Sequence, residues 1–162
     1  MSEEKTNVMR VLDQKKIPYT PHSYPHNEGE AVDGATVAAL IGRDPGEVYK
    51  TLVTRGASKA NYVFVVPVLA ELDLKKAAKT VGEKSIELIH VKELTPLTGY
   101  VRGGCSPIGM KKRFKTVVDA TARDHAAILV SAGKIGRQVE LSPDALVGLI
   151  GGRYADVVKA DE

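Results

Sequence analysis

The chain has 162 residues, of which 43% are hydrophobic and 27% are charged, and its formal net charge is +3. These proportions exclude a disordered chain and predict one domain over residues 1–162 that buries roughly 70% of its unfolded surface. A single cysteine excludes an internal disulfide, and the sequence has neither a signal-peptide pattern nor the run of about 20 apolar residues that spans a membrane. We therefore expect a cytoplasmic protein with no membrane partner.

The first elements are short helices with recognisable ends. Apolar residues at helical spacing predict a helix over residues 6–16, which Pro18 prevents from continuing. A proline-rich extended stretch follows. The next helix can be capped by Asp33 and end at Gly42, because aspartate accepts hydrogen bonds from free helix N–H groups and glycine tolerates a left-handed backbone.

A β-hairpin is predicted next. Residues 47–56 and 61–69 are rich in β-branched and aromatic residues and are joined by the turn-like "ASKA". Lys50 lies inside the first strand. A helix then runs from a cap at Asp73 to a stop at Gly82.

The second half interleaves short strands with short helices irregularly. A strand and a helix precede the glycine-rich "GGCSPIGMKKRF" (103–114), and three further strands lead to a helix capped by Ser142. This order fits neither repeated βαβ units nor a repeat array. The predicted class is α+β: a compact domain with a mixed, partly barrel-like sheet flanked by short helices.

Lys50 has two interpretations. Strand alternation gives it apolar neighbours on its own face and on the opposite face. A lysine that reaches solvent from an edge strand is the more common case, and we expect it on these grounds alone. A lysine that points into a pocket could instead bind an anionic or carbonyl-bearing ligand or stabilise developing negative charge.

The loop around Cys105 also has two interpretations. Its glycines suggest a backbone that approaches a ligand closely and offers N–H groups to it, whereas a connecting turn is the simpler alternative. Cys105 has no histidine close in sequence to activate it, so we expect a packing residue and not a nucleophile.

Basic clusters flank the glycine-rich loops, and one of them comprises Lys111, Lys112 and Arg113. Such clusters suit the phosphates of an RNA end, although each could be a solvated surface. Tyr24 and Tyr100 offer aromatic planes for a base or sugar, although a buried structural tyrosine is more frequent. Four scattered histidines and one cysteine form no zinc pattern, and we expect no metal and no cofactor.

Six segments in this order resemble the YbaK family of aminoacyl-tRNA deacylases, which is related to the editing domain of prolyl-tRNA synthetases. They span about residues 17–146 and read "IPYTPHSYPH", "VYKTLV", "LDLKKAAKTVG", "TGYVRGGCSPIGMKKRF", "VSAGKIG" and "VELSPDAL".

The resemblance implies a compact α+β fold and hydrolysis of a wrongly attached amino acid from the 3′ end of tRNA. It implies that Lys50 and the Gly103–Gly104 backbone are catalytic. The substrate-binding residues would be Tyr24, Thr51, Ser131 and Gln138, and the basic "MKKRF" with Lys111, Lys112 and Arg113 would contact tRNA. Prolyl-tRNA synthetase is a possible partner, and DNA is not.

Cys-tRNA(Pro) is the substrate that the resemblance favours. The cysteinyl thiol of the substrate would attack its own ester carbonyl, so that no enzyme thiol is required. Two alternatives remain open at this point: a deacylase of Ala-tRNA(Pro), and a non-catalytic module that binds tRNA or a synthetase.

Overall fold

The computed structural model describes residues 5–160, and these residues form five α-helices and two short 3₁₀ helices. The 3₁₀ helices are Pro45–Glu47 and Ala120–Asp124. The α-helices are α1 Asn7–Gln14, α2 Gly34–Leu40, α3 Leu74–Val81, α4 Val91–Thr98 and α5 Pro143–Ile150. Within residues 5–160, no helix is both long enough and apolar enough to cross a membrane.

Eight strands form two sheets in this part of the chain. The strands are β1 Thr20–Ser23, β2 Tyr49–Gly56, β3 Asn61–Pro67, β4 Ile86–Leu88, β5 Lys115–Asp119, β6 Ile128–Ser131, β7 Arg137–Leu141 and β8 Arg153–Ala155. The smaller sheet is antiparallel with the order β1-β7-β6, and the larger is mixed with the order β4-β2-β3-β5-β8. The predicted α+β class is confirmed, but the described strands do not close into a barrel.

Local capping explains where the helices begin. The Asp33 carboxylate accepts a hydrogen bond from the Thr36 N–H at 2.9 Å, and the Asp73 carboxylate accepts from the Lys75 and Lys76 N–H groups at 3.0 Å. These side chains satisfy backbone donors that have no partner inside the helix. The predicted caps of α2 and α3 are therefore confirmed, as is the predicted hairpin of β2 and β3.

The two sheets meet just before Lys50. Val48 forms an isolated parallel bridge with Leu129 of β6, and both side chains are fully buried. Beside this bridge, Glu140 of β7 accepts hydrogen bonds from Arg43 Nη1 and His22 Nε2, each at 2.8 Å. The Arg43 hydrogen bond, ahead of the opposing effect of burial, holds the pKa of the Glu140 carboxyl below its usual range. Arg43 thus ties the segment before β2 to the smaller sheet.

The main apolar cluster lies where α1 and α5 cover both sheets. Val8 and Leu12 of α1, Val65 of β3, Val130 of β6 and Leu146 of α5 are all fully buried in it. Each of these side chains stabilises the fold by roughly 1.5–3 kcal/mol relative to an exposed position. This cluster holds β2, β6 and β7 in fixed positions.

Gly34, the first residue of α2, packs so closely against Val68 that a substitution there can test the structure. A Cβ atom at Gly34 would lie 2.4 Å from Cβ and Cγ1 of Val68, so we expect Gly34→Ala to lower the free energy of unfolding by about 1–3 kcal/mol. Gly148 inside α5 has no atom within 4 Å of the corresponding position, so Gly148→Ala should raise the free energy by about 0.5–1 kcal/mol. Urea unfolding measures both, and equal effects would contradict this packing.

Candidate active site

A cavity of about 120 Å³ lies at the junction of the two sheets. It brings together residues that are far apart in the sequence, and six of the ten predicted site residues line it. They are Tyr24, Lys50, Thr51, Gly103, Ser131 and Gln138. Gly104, Lys111, Lys112 and Arg113 are not among its lining residues.

Lys50 is half-buried and lines the cavity. Its Nζ lies 3.4 Å from the Val68 carbonyl oxygen, a long hydrogen bond that leaves the ammonium able to donate to a ligand. Burial lowers the pKa of Lys50 from its usual value, against a smaller opposing effect of Glu71. The expectation of a lysine that reaches solvent is therefore wrong, because the side chain is half-buried and lines the cavity, although β4 pairs with β2 only at Thr54–Gly56.

Gly103 has a φ of +87°, and a Cβ atom there would lie 2.8 Å from Ala31 Cβ. A Cβ on Gly104 would lie 3.0 Å from the Ile135 nitrogen, so the loop fits between two other segments only because it lacks these side chains. The Gly104 N–H already donates to the Val101 carbonyl at 3.0 Å. Within residues 5–160, the N–H groups of Gly103 and Cys105 have no acceptor. The donors without an acceptor thus flank Gly104, whose own N–H is occupied within the loop.

Two buried polar atoms of the cavity lining have no hydrogen-bond partner among the described residues. They are Oγ1 of Thr51 and Oε1 of Gln138. Gln138 pairs with Ser131 across β7 and β6, and Ser131 Oγ accepts the Gly133 N–H at 3.1 Å. Because an unsatisfied buried polar group costs about 1–3 kcal/mol, these atoms indicate a site for a polar ligand.

Cys105 also lines the cavity, and the residue is half-buried. Burial, against a weaker opposing hydrogen bond from Thr98, raises the pKa of the thiol to about 12. The thiolate is the nucleophilic form of cysteine, so this environment disfavours attack by Cys105. The buried ring of Tyr24 forms another wall, edge-on to His26 with ring centroids 6.3 Å apart.

Sequence reasoning missed six lining residues, which are Val32, Gly34, Val37, Val48, Tyr49 and Val68. Val68 follows the end of β3, and its contact with Gly34 spans 34 positions of sequence. The only available signal was a glycine directly after the Asp33 cap, at a position where helix geometry does not require one.

The chemistry available to this cavity is electrostatic. Its lining includes the Lys50 ammonium and two residues, Gly103 and Cys105, whose N–H groups have no acceptor within residues 5–160, and none of its lining residues carries a carboxylate or a low-pKa thiol. Such donors stabilise negative charge that develops on a carbonyl oxygen. The described residues lining the cavity supply no strong nucleophile, so the arrangement fits a ligand that brings its own.

Three comparisons with known proteins show what this chain is similar to. The family model described as "Aminoacyl-tRNA editing domain" matches residues 28–149. A protein of Enterococcus faecalis (strain ATCC 700802 / V583) is 45% identical over 156 residues, which cover 96% of this chain and 94% of that protein. It is named as a candidate Cys-tRNA(Pro)/Cys-tRNA(Cys) deacylase, EbsC.

Solved structures show the same fold. The crystal structure of a candidate trans-editing enzyme for prolyl-tRNA synthetase has a TM-score of 0.81 and 23% identity, covering 94% of this chain and 95% of that one. The crystal structure of a hypothetical protein has a TM-score of 0.83 and 24% identity, covering 94% and 99%.

The buried thiol gives a direct test of the cavity environment. Because burial raises the pKa of Cys105 to about 12, the thiol is almost entirely protonated near pH 8. We expect iodoacetamide to alkylate the folded protein at least about 100-fold more slowly than the unfolded protein. Mass spectrometry over time measures both rates, and similar rates would show that the thiol is accessible and ionised.

Proposed function

The chain belongs to the aminoacyl-tRNA editing domain family, and we propose that it removes cysteine from wrongly charged tRNA(Pro). The relative named for Cys-tRNA(Pro) and Cys-tRNA(Cys) supports cysteine as the amino acid. The observation that carries the proposal is the Lys50 ammonium facing a small cavity beside the free N–H groups of Gly103 and Cys105. The family predicted from the sequence motifs is confirmed by the family model.

The substrate supplies the nucleophile. The cysteinyl sulfur attacks the ester carbonyl carbon, the bond from that carbon to the ribose oxygen breaks, and the thiol proton ends on the ribose hydroxyl. The products are a cyclic thiolactone and free tRNA, so atoms balance without a cofactor. Intramolecular attack gains an effective molarity of up to about 10⁵–10⁸ M, which explains why no general base is needed.

Each wall of the cavity has a role in this reaction. Lys50 orients the ester and stabilises the oxyanion together with the Gly103 and Cys105 N–H groups. The unpaired oxygens of Thr51 and Gln138 accept hydrogen bonds from the substrate amino group. Gly104 serves by allowing the close approach to Ile135, and Tyr24 and Ser131 complete the walls.

The size of the cavity favours a small amino acid. An engineered protein cavity of about 150 Å³ admits a benzene molecule, and this one measures about 120 Å³. A cysteinyl group fits such a space.

The segments outside residues 28–149 belong to the same domain in this proposal. Val8 and Leu12 of α1 are fully buried in the main apolar cluster, and Val158 forms a bridge with Leu72. The protein acts in the cytoplasm, where charged tRNA is used, and prolyl-tRNA synthetase is the partner that could supply tRNA selectivity.

Replacing Lys50 is the first test of this mechanism. Lys50→Ala removes the ammonium, so we expect kcat for Cys-tRNA(Pro) to fall by about 10²–10³. Cys105→Ala keeps its backbone N–H and should retain deacylation. Wild-type activity should decline as pH rises through the lowered pKa of Lys50, because only the protonated form carries the charge. Loss of activity in Cys105→Ala with retention in Lys50→Ala would overturn the mechanism.

A substrate panel tests the role of the substrate thiol. We expect release of cysteine from Cys-tRNA(Pro) with a trappable thiolactone, and much slower release from Ser-tRNA(Pro), because an unactivated hydroxyl is a poor nucleophile. Rates from charged tRNA and mass spectrometry of trapped products give the answer. Efficient release of alanine from Ala-tRNA(Pro) would identify an alanine-removing enzyme, and binding without any release would identify a non-catalytic module.

A further inference from the structure

A second concavity, of about 350 Å³, lies between α1, α5 and the segment before β5, and we call it the basic groove. Its apolar part is formed by half-buried side chains: Val11, Met110, Phe114 and Leu149. Its cationic part is formed by exposed side chains: Lys15, Lys112 and Arg113.

The cations of the basic groove are not neutralised by neighbouring carboxylates. No lining residue is acidic, and no ion pair found within residues 5–160 involves Lys15, Lys112 or Arg113. The guanidinium of Arg113 lies beside Gly151, the residue that ends α5, with Nη2 3.1 Å from the position of a Cβ on that glycine. The negative end of a helix dipole favours a cation there, so Arg113 is positioned without using an acidic partner.

One tyrosine ring separates the basic groove from the loops beside the cavity. Tyr100 Cε1 lies 3.1 Å from the position of a Cβ on Gly133, which is two residues beyond Ser131 of the cavity wall. At the other end of the ring, the Tyr100 hydroxyl donates to the Ile108 carbonyl of the groove at 2.5 Å. The two concavities also share the segment 103–114, which lines the cavity at its start and the groove at its end.

We propose that the basic groove binds the unpaired nucleotides that precede the terminal adenosine of the same tRNA. This inference rests on the proposed function, because the ester in the cavity is covalently attached to that RNA. Lys112 and Arg113 contact phosphates, and a base packs on the apolar side chains around Phe114. The attachment makes groove binding intramolecular and so gives RNA a high effective concentration there, which favours it over a free acidic peptide.

The test compares two substrates that differ only in the nucleotides the groove would hold. One is Cys-tRNA(Pro), and the other is cysteine esterified to adenosine, which reaches the cavity but not the groove. The groove variant is Lys112→Gln with Arg113→Gln. The matched control is Lys75→Gln with Lys84→Gln, two exposed lysines beside α3 that face a different concavity.

We expect the ratio of kcat/KM for Cys-tRNA(Pro) to that for cysteinyl-adenosine to fall about tenfold or more in the groove variant and not in the control. The salt dependence of kcat/KM for the tRNA should also weaken, by about 0.7 in logarithmic slope for each phosphate that the variant no longer neutralises. Phe114→Leu, which keeps an apolar side chain, should lower the same ratio about fivefold or more because a base can no longer stack on the ring. Thermal unfolding of each variant checks that it is folded.

Other results would overturn the inference. An unchanged ratio in the groove variant would show that RNA does not bind the basic groove. An acidic protein segment would then be the alternative ligand of the groove. An equal fall in the control would show an effect of overall charge alone. If the wild type cleaves neither substrate, the proposed function fails, and equilibrium binding of uncharged tRNA to the same variants then decides whether the groove binds RNA.

Discussion

The bridge between Val48 and Leu129 fixes the positions of the groups that form the cavity. Lys50 and Thr51 follow Val48 in β2, and Ser131 is two residues after Leu129 in β6 with Gln138 as its partner in β7. A slip of one residue in β2 would exchange the faces of Lys50 and Thr51, because side chains alternate along a strand. The hydrogen bonds of Glu140 beside the bridge oppose such a slip by tying Arg43 to the smaller sheet.

Glycines, which have no side chain, shape the cavity together with the residues whose side chains line it. Gly34 lets α2 begin against Val68, and Gly103 and Gly104 let their loop pass between Ala31 and Ile135. Each contact would be closer than a Cβ atom normally tolerates, so the three glycines set the distance between walls that come from different parts of the chain. The small volume of the cavity therefore depends on backbone approach at the glycines as well as on the lining side chains.

Local signals in the sequence predicted the elements, whereas non-local contacts decided the site. The caps of α2 and α3 and the β2–β3 hairpin depend on residues within a few positions of each other, and all were predicted. The direction of Lys50 depends on non-local contacts, namely the bridge between Val48 and Leu129 and the hydrogen bond to the Val68 carbonyl, and the residue-based expectation was wrong. The turn that occupies the Gly104 N–H has no sequence signature that separates it from a free donor. The family resemblance identified six of the residues that line the cavity but not which backbone atoms are free.

The absence of carboxylates among the described cavity-lining residues matters for Lys50. Burial strengthens the electric field of the Lys50 ammonium but also lowers its pKa. Deeper burial would therefore deprotonate the lysine and remove the positive charge that the site needs. A carboxylate beside it would keep it protonated, yet it would also cancel the attraction for an oxyanion. Neutral acceptors such as Thr51 and Gln138 avoid this conflict, because they can bind a substrate amine without pairing with the lysine. Half-burial together with neutral neighbours therefore leaves a charged donor whose field is directed at the ligand.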